Sequence, residues 1–230
     1  MVVTIHQPEH LPWLGFCHKA TLADVFVLLD VVQFRKNYFQ NRNRILGPHG
    51  PMWVTVPVRL QGHTQKTIAE MEIHNAVPWA RKWWGSLRHA YGHTPYFDAH
   101  ARFFESVASR VWTHLADLNL AIIEYLFDAL GIRCRLVRAS TLPVAGARST
   151  LLLDICARLG ASVYLAGQHG RDYLDISIFE ARGIAVRYHS FRHPTYPQGR
   201  GGPFVPNLSV IDLLFRCGPE SGAILRGAAP

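Results

Sequence analysis

The stretch V-V-T-I-H-Q-P-E-H-L-P-W-L-G-F-C-H-K, Val2 to Lys19, decides how the rest of the chain is read. Val2, Val3 and Ile5 read as a short buried strand, Pro8 and Pro12 forbid a regular hydrogen-bond ladder, and Leu14 to Leu22 reads as a helix. Strand, rigid turn and helix in that order open an α/β sheet. In such sheets ligands sit in the crevice beyond the carboxyl ends of the strands, where a helix N-terminus offers free N–H groups. The same turn gathers His6, Gln7, Glu9, His10, Trp13, Cys17 and His18, a density of reactive side chains found nowhere else in the chain.

Working outward, A-D-V-F-V-L-L at Ala23 to Leu29 is a continuous apolar run of the kind a doubly covered sheet uses, and Asp30 ends it beside the crevice or as a turn cap. The polar loop from Gln33 to Asn43 mixes amides, arginines and aromatics, which makes Asn41, Arg42 and Asn43 candidates for ligand recognition. Ile45 to Arg59 reads as a hairpin around G-P-H-G-P, so the sheet is expected to be mixed. From Trp79 the period turns helical, and Asp98 to Leu130 is expected to be mostly helix, with Phe104, Val107, Val111, Leu115 and Leu118 on its core side. His89 and His93 share helical spacing, yet no third ligand lies nearby, and no metal is expected. Ser149 reads as the N-cap of a helix over Thr150 to Leu159. Val163 to Leu165 reads as a strand entering A-G-Q-H-G-R-D-Y-L-D, a turn that can bring Gln168, His169, Asp172 and Tyr173 to the crevice. A further strand over Ile184 to His189, a stiff turn from His193 to Gln198, an amphipathic helix over Asn207 to Phe215 and a loose tail from Pro219 complete the chain. These elements predict a three-layer Rossmann-like α/β fold with a mixed, mainly parallel sheet and a helical elaboration over about residues 79–130, all in one domain spanning 1–230.

With 49% hydrophobic and 17% charged residues, 230 residues can bury a substantial core. No apolar run approaches the roughly 20 residues of a membrane span and no basic leader precedes one, so a cytoplasmic protein is expected. Cys17, Cys134, Cys156 and Cys217 lack the spacing of a zinc site or disulfide framework. A formal charge of +8 points to an acidic partner, and the basic residues read as scattered, which argues against nucleic acid. Whether the chain forms a homo-oligomer stays open.

A chemistry follows from the residues. Cys17, near a helix N-terminus and imidazoles, can ionise and attack a thioester. His169 is the first choice of base, with His6 and His193 behind it, and Glu9 or Asp172 can orient whichever serves. Gln7 can donate to the tetrahedral oxyanion. The blander role for Cys17 is a small buried hydrophobe.

The motifs I-H-Q-P-x-x-L-P-W-L-G-F, A-D-V-F-V-L-L-D-V-V-Q-F, N-R-N-R-I, W-V-T-V-P-V, G-R-D-Y-L-D, H-P-x-Y-P-Q and N-L-S-V-I-D-L-L-F together resemble the WbqC-like family across nearly the whole chain. That resemblance implies a role in O-antigen or natural-product pathways, attaching aminoacyl or acyl groups to amines. A subset similar to it comprises lincosamide condensing enzymes, which join a carrier-protein-bound amino acid to an aminosugar as an amide. Cys17 where the family is commonly aromatic, His10 where Tyr is common, and His169 where small residues are usual favour the cysteine-using subset. The resemblance then implies an N-acyltransferase with no cofactor of its own, phosphopantetheine arriving on the carrier protein, and an aminosugar-like acceptor. Two other readings stay open: a nucleotide-dependent transferase or ligase of nucleotidyltransferase-like architecture, with His6 and His10 facing phosphates, and a non-catalytic sugar-binding subunit.

Overall fold

In the computed structural model, which describes residues 1–199 and 202–227, β1 (Val2–His6) passes through a turn at residues 7–13 into α1 (Leu14–Thr21). The chain continues through β2 (Val25–Leu28), β3 (Arg42–Gly47), β4 (Gly50–Thr55), α2 (Trp79–Tyr91), α3 (Phe97–Ser109), α4 (Leu115–Ala129) and β5 (Arg135–Arg138). It ends with α5 (Arg148–Arg158), β6 (Val163–Ala166), α6 (Ser177–Glu180), β7 (Ala185–Tyr188), α7 (Ile211–Cys217) and α8 (Ser221–Arg226). Five strands form one sheet in the order β5-β2-β1-β6-β7, each neighbouring pair parallel. Counted along the chain, these five strands lie in the order third, second, first, fourth, fifth. This doubly wound arrangement reverses direction between β1 and β6.

β2 shows why both faces carry helices. Val25 and Val27 join Val3, Ile5, Ile155 and Tyr164 in one cluster, whereas Phe26 and Leu28 join Leu14, Phe16, Phe127 and Leu214 in the other. Period-two alternation within an apolar run gives each face an apolar side chain, and each must be covered. The result is the expected three-layer α/β fold, with the helices of residues 79–130 in the larger cluster.

Several elements depart from the expectation. The β3–β4 hairpin pairs only within itself and forms a separate two-stranded sheet, so the antiparallel pairing lies outside the main sheet. Residues 98–130 divide into α3 and α4 at 110–114, and Val111 in that break is 80% exposed rather than core. Ser149 lies inside α5 and accepts the Asp175 N–H; Thr150 instead pairs with Ala147 at the helix start. The chain beyond Pro219 is helical in α8 and buries Leu225; of the expected loose tail, residues 228–230 lie outside the described residues. β5 is a short edge strand that apolar patterning does not reveal, because both of its ends are arginine.

Gly15 is demanded by packing. The Trp13 ring folds back over it, and a Cβ there would overlap the indole. Gly15→Ala is therefore expected to destabilise the fold by about 1–3 kcal/mol, as overpacking does, measured as a lower denaturant midpoint.

Candidate functional site

β1 and β6 end side by side at the point where strand order reverses, so the turn after His6 lies where such sheets bind ligands. Within that turn Leu11 is fully buried and holds φ of 45°, a conformation that a branched residue adopts only when its surroundings impose it. Its carbonyl accepts the Asn43 Nδ2–H at 2.9 Å, and the His10 N–H donates to the Phe39 carbonyl at 2.9 Å. The turn is thereby clamped to the loop at residues 33–43.

His6 lies at the open edge. Its Nδ1 is 3.0 Å from the Gln7 carbonyl, which can only accept, so the proton resides on Nδ1 and Nε2 keeps its lone pair. The side chain is 33% exposed, and Glu9 Oε1 lies 3.9 Å from Nδ1. Burial, then the nearby Lys19 cation, pull the His6 pKa well below the ordinary imidazole value, so the ring is neutral at pH 7.

Gln7 is oriented by a second amide. The Arg35 backbone N–H donates to Gln40 Oε1 at 2.8 Å, which fixes the Gln40 amide, and Gln40 Nε2 donates to Gln7 Oε1 at 2.7 Å. Gln7 is left presenting its NH2 with no acceptor among the described residues.

Glu9 and Lys19 are the buried ionisable groups of the site. Glu9 is buried, and its Oε2 is sealed without a partner. Burial pushes its pKa up to about 8, with Lys19 opposing. Lys19 is equally buried, donates to the Ile5 carbonyl at 3.1 Å, and has its pKa lowered to about 7 by burial, with Glu9 opposing. Beside Lys19, His18 Nδ1 lies 2.9 Å from His189 Nε2, an imidazole pair from α1 and the end of β7. Burial lowers both pKa values, that of His189 to about 4.

The other expected site residues divide sharply. Cys17 is fully buried in the larger core cluster, and burial raises its thiol pKa well above the usual value, Glu9 adding to the rise. It is not a thiolate. His169 is 95% exposed on the turn after β6, 3.6 Å from Asp172, and a ring so open cannot touch a sealed thiol. Gln168, Asp172 and Tyr173 are exposed on the same turn. His10 is sealed: Nδ1 donates to Asn119 Oδ1, Nε2 accepts the Trp83 indole N–H, and burial lowers its pKa to about 4, so it rivets the turn to α2 and α4. Asp30 is filled by Arg138 at 2.7 Å and by both the N–H and hydroxyl of Ser140. Asn41 donates to the Val56 carbonyl, and Asn43 spends its amide on Leu11 and the Arg44 N–H. Asn43 is thereby spent within the fold, contrary to the recognition role expected of it, whereas Asn41 Oδ1 is buried without a partner. Arg42 stacks on Trp53, and Trp13 packs edge-on against Phe191. His193 donates from Nδ1 to the Pro194 carbonyl and has Nε2 sealed.

Lys19 and His189 are the residues that sequence reasoning passed over, and His18 was noted in the first turn without a role. One signal was available: L-G-F-C-H-K-A has no polar face, so a helix buried on all sides must bury its His and Lys. Among the described residues no group of three or more His, Cys, Asp or Glu side chains could hold a metal, and no helix is long and apolar enough to cross a membrane.

The WbqC-like protein family matches residues 7–224. An uncharacterized protein of Mycobacterium tuberculosis, Rv1507c, is 30% identical over 226 residues, covering 97% of this chain and 97% of its own. No solved structure matches.

Proposed function

Starting from the fact that the chain belongs to the WbqC-like family, we propose that it is a transferase that passes an acyl group from a carrier-protein thioester directly to an amine of the aminosugar type, forming an amide without an acyl-cysteine intermediate. The observation that carries this reading is the fixed His6 tautomer, an open neutral imidazole with Nε2 available beside an oriented Gln7 amide. The neutral amine attacks the thioester carbonyl, and its N–H proton passes to His6 Nε2. Gln7 Nε2–H donates to the oxyanion that develops. On collapse the C–S bond breaks, and the thiolate takes the proton from Nε2. Chemistry of this form draws on no resident cofactor. The sealed Cys17 thiol takes no part, since a nucleophile must be ionised and reachable.

Intact-protein mass spectrometry with an aminoacyl carrier protein tests the route. No enzyme mass increase is expected before the amine is added, and Cys17→Ala should form amide at close to the wild-type rate. An acyl adduct that disappears in Cys17→Ala would overturn direct transfer.

The strand order favours a second reading, a nucleotide-dependent transferase with phosphates at the β1–β6 reversal. His10 cannot serve it, being sealed by Asn119 and Trp83. Amide formation that requires ATP and releases pyrophosphate would select this reading.

A further inference from the structure

Contrary to the scattered distribution expected, the basic charge is concentrated. From Val31 to Ala69 the sequence has six Lys or Arg residues and neither Asp nor Glu, so this run supplies +6 of the formal +8. Arg59 and Lys66 pair with Glu72, whereas Arg35, Lys36, Arg42 and Arg44 have no ion pair among the described residues. Two of these unpaired cations lie on exposed aromatic rings: the Arg35 guanidinium is 4.6 Å from the centre of Tyr38, and that of Arg42 is 4.3 Å from the centre of Trp53. Phe39 bridges the two rings, 5.4 Å from Tyr38 and 5.9 Å from Trp53, so the five side chains form one continuous strip. Tyr38 is 40% and Trp53 44% exposed, and Lys36 extends the strip into solvent. Arg42 Nη2 donates to the Asn37 carbonyl and its Nε is sealed without a partner, so no carboxylate among the described residues neutralises this guanidinium.

The strip is tied to the candidate site. The Phe39 carbonyl accepts the His10 N–H, and the adjacent Gln40 holds the Gln7 amide at 2.7 Å. Residues 35–42 are thus hydrogen-bonded to the turn that carries His6.

The chemistry of the strip selects its partner. A guanidinium stacked on a ring is held in plane and loses little freedom on binding, and its N–H groups left free can donate to carboxylates. One face of Tyr38 and one of Trp53 are already covered by arginine, which leaves fewer of the open stacking platforms that single-stranded nucleic acid uses. We propose that Arg35, Lys36 and Arg42, borne on Tyr38 and Trp53, form the docking face for an acidic protein partner. That this partner carries the acyl donor rests on the transfer reading above; the complementarity of charge does not.

The experiment is a calorimetric titration of the full-length protein with an acidic holo-acyl carrier protein and, separately, with a short single-stranded oligonucleotide. It compares wild type, the charge-reversed pair Arg35→Glu/Arg42→Glu, and Arg59→Glu as a control outside the strip. Carrier binding is expected to weaken by roughly tenfold or more in the pair and to change little in the control, with added salt eroding the wild-type affinity. Unaltered melting temperatures would show that the substitutions leave the fold intact. Equal carrier affinity in wild type and the pair overturns the docking face, as does absence of wild-type binding, or a strip-dependent affinity for the oligonucleotide exceeding that for the carrier. A wild-type assay with a small pantetheine thioester separates the two ideas: turnover there without carrier binding leaves the transfer chemistry standing and removes the docking face alone.

Discussion

A His6→Gln variant is expected to lose roughly 10²–10⁴-fold in turnover, the range that a positioned proton acceptor contributes, while its affinity for the amine changes far less. Glutamine keeps the bulk of the ring and can still donate to the Gln7 carbonyl, but it has no basic lone pair where Nε2 stood. The wild-type imidazole is held neutral by burial and by the Lys19 cation, so its own titration falls well below the ordinary histidine range. No loss of activity near pH 6.5 is therefore expected from His6. Titration in the neutral range belongs instead to Lys19, at about 7, and Glu9, at about 8. The comparison with Cys17→Ala is decisive in sign: removal of a fully buried thiol is expected to alter stability and not turnover. Steady-state rates for the two variants check this. A His6→Gln rate within a few-fold of wild type would remove the imidazole from the chemistry.

Replacing the buried charges together, as Glu9→Gln/Lys19→Met, is expected to stabilise the protein by about 1–4 kcal/mol near neutral pH, at the expense of activity. Neither group has solvent to screen it, and Glu9 Oε2 has no partner. The pH dependence of the gain follows from the direction of each shift. Glu9 has its folded pKa raised to about 8, so its contribution to stability is complete below the ordinary value of 4.5 and is lost as pH rises through 8. Lys19 has its folded pKa lowered to about 7, so its contribution is complete above the ordinary 10.5 and is lost as pH falls through 7. Between 7 and 8 both are largely lost, and the double variant should show its greatest advantage there, shrinking toward pH 4.5 and toward pH 10.5. Buried neutral His10, with a pKa of about 4 set by burial, makes both proteins less stable as acid is added, and this common term cancels in the difference. Urea midpoints for the two proteins at acid, neutral and alkaline pH measure it. A gain that does not vary with pH, or a loss at neutral pH, would show that the pair is not held as its burial implies.

What could be read from the residues was the local and repetitive part. The apolar run at Val25 to Leu28 requires a sheet covered on both faces, the two prolines of the first turn require a break in pairing, and four-residue spacing from Trp79 to Tyr91 requires a helix. Each depends on side-chain chemistry within a few positions, so the α/β layers and the place of the crevice were legible. Desolvation is different, because it depends on everything packed around an atom. Cys17 lies in an attractive neighbourhood along the chain, yet the packing of the α1 helix among distant apolar residues makes its thiol inert. Its neighbour Lys19, unremarked in sequence, loses its charge preference for the same reason. His18 meets His189 across 171 positions only because β7 lies next to β6 in the sheet, and His10 leaves the chemistry because Trp83 and Asn119 close over it. The sequence by itself determined the apolar strands, the proline-broken first turn and the helix from Trp79, and with them where the crevice lies. The tertiary structure alone decided which of the gathered groups remain wet enough to exchange a proton, since burial raises the cost of charge by an amount that no local pattern encodes.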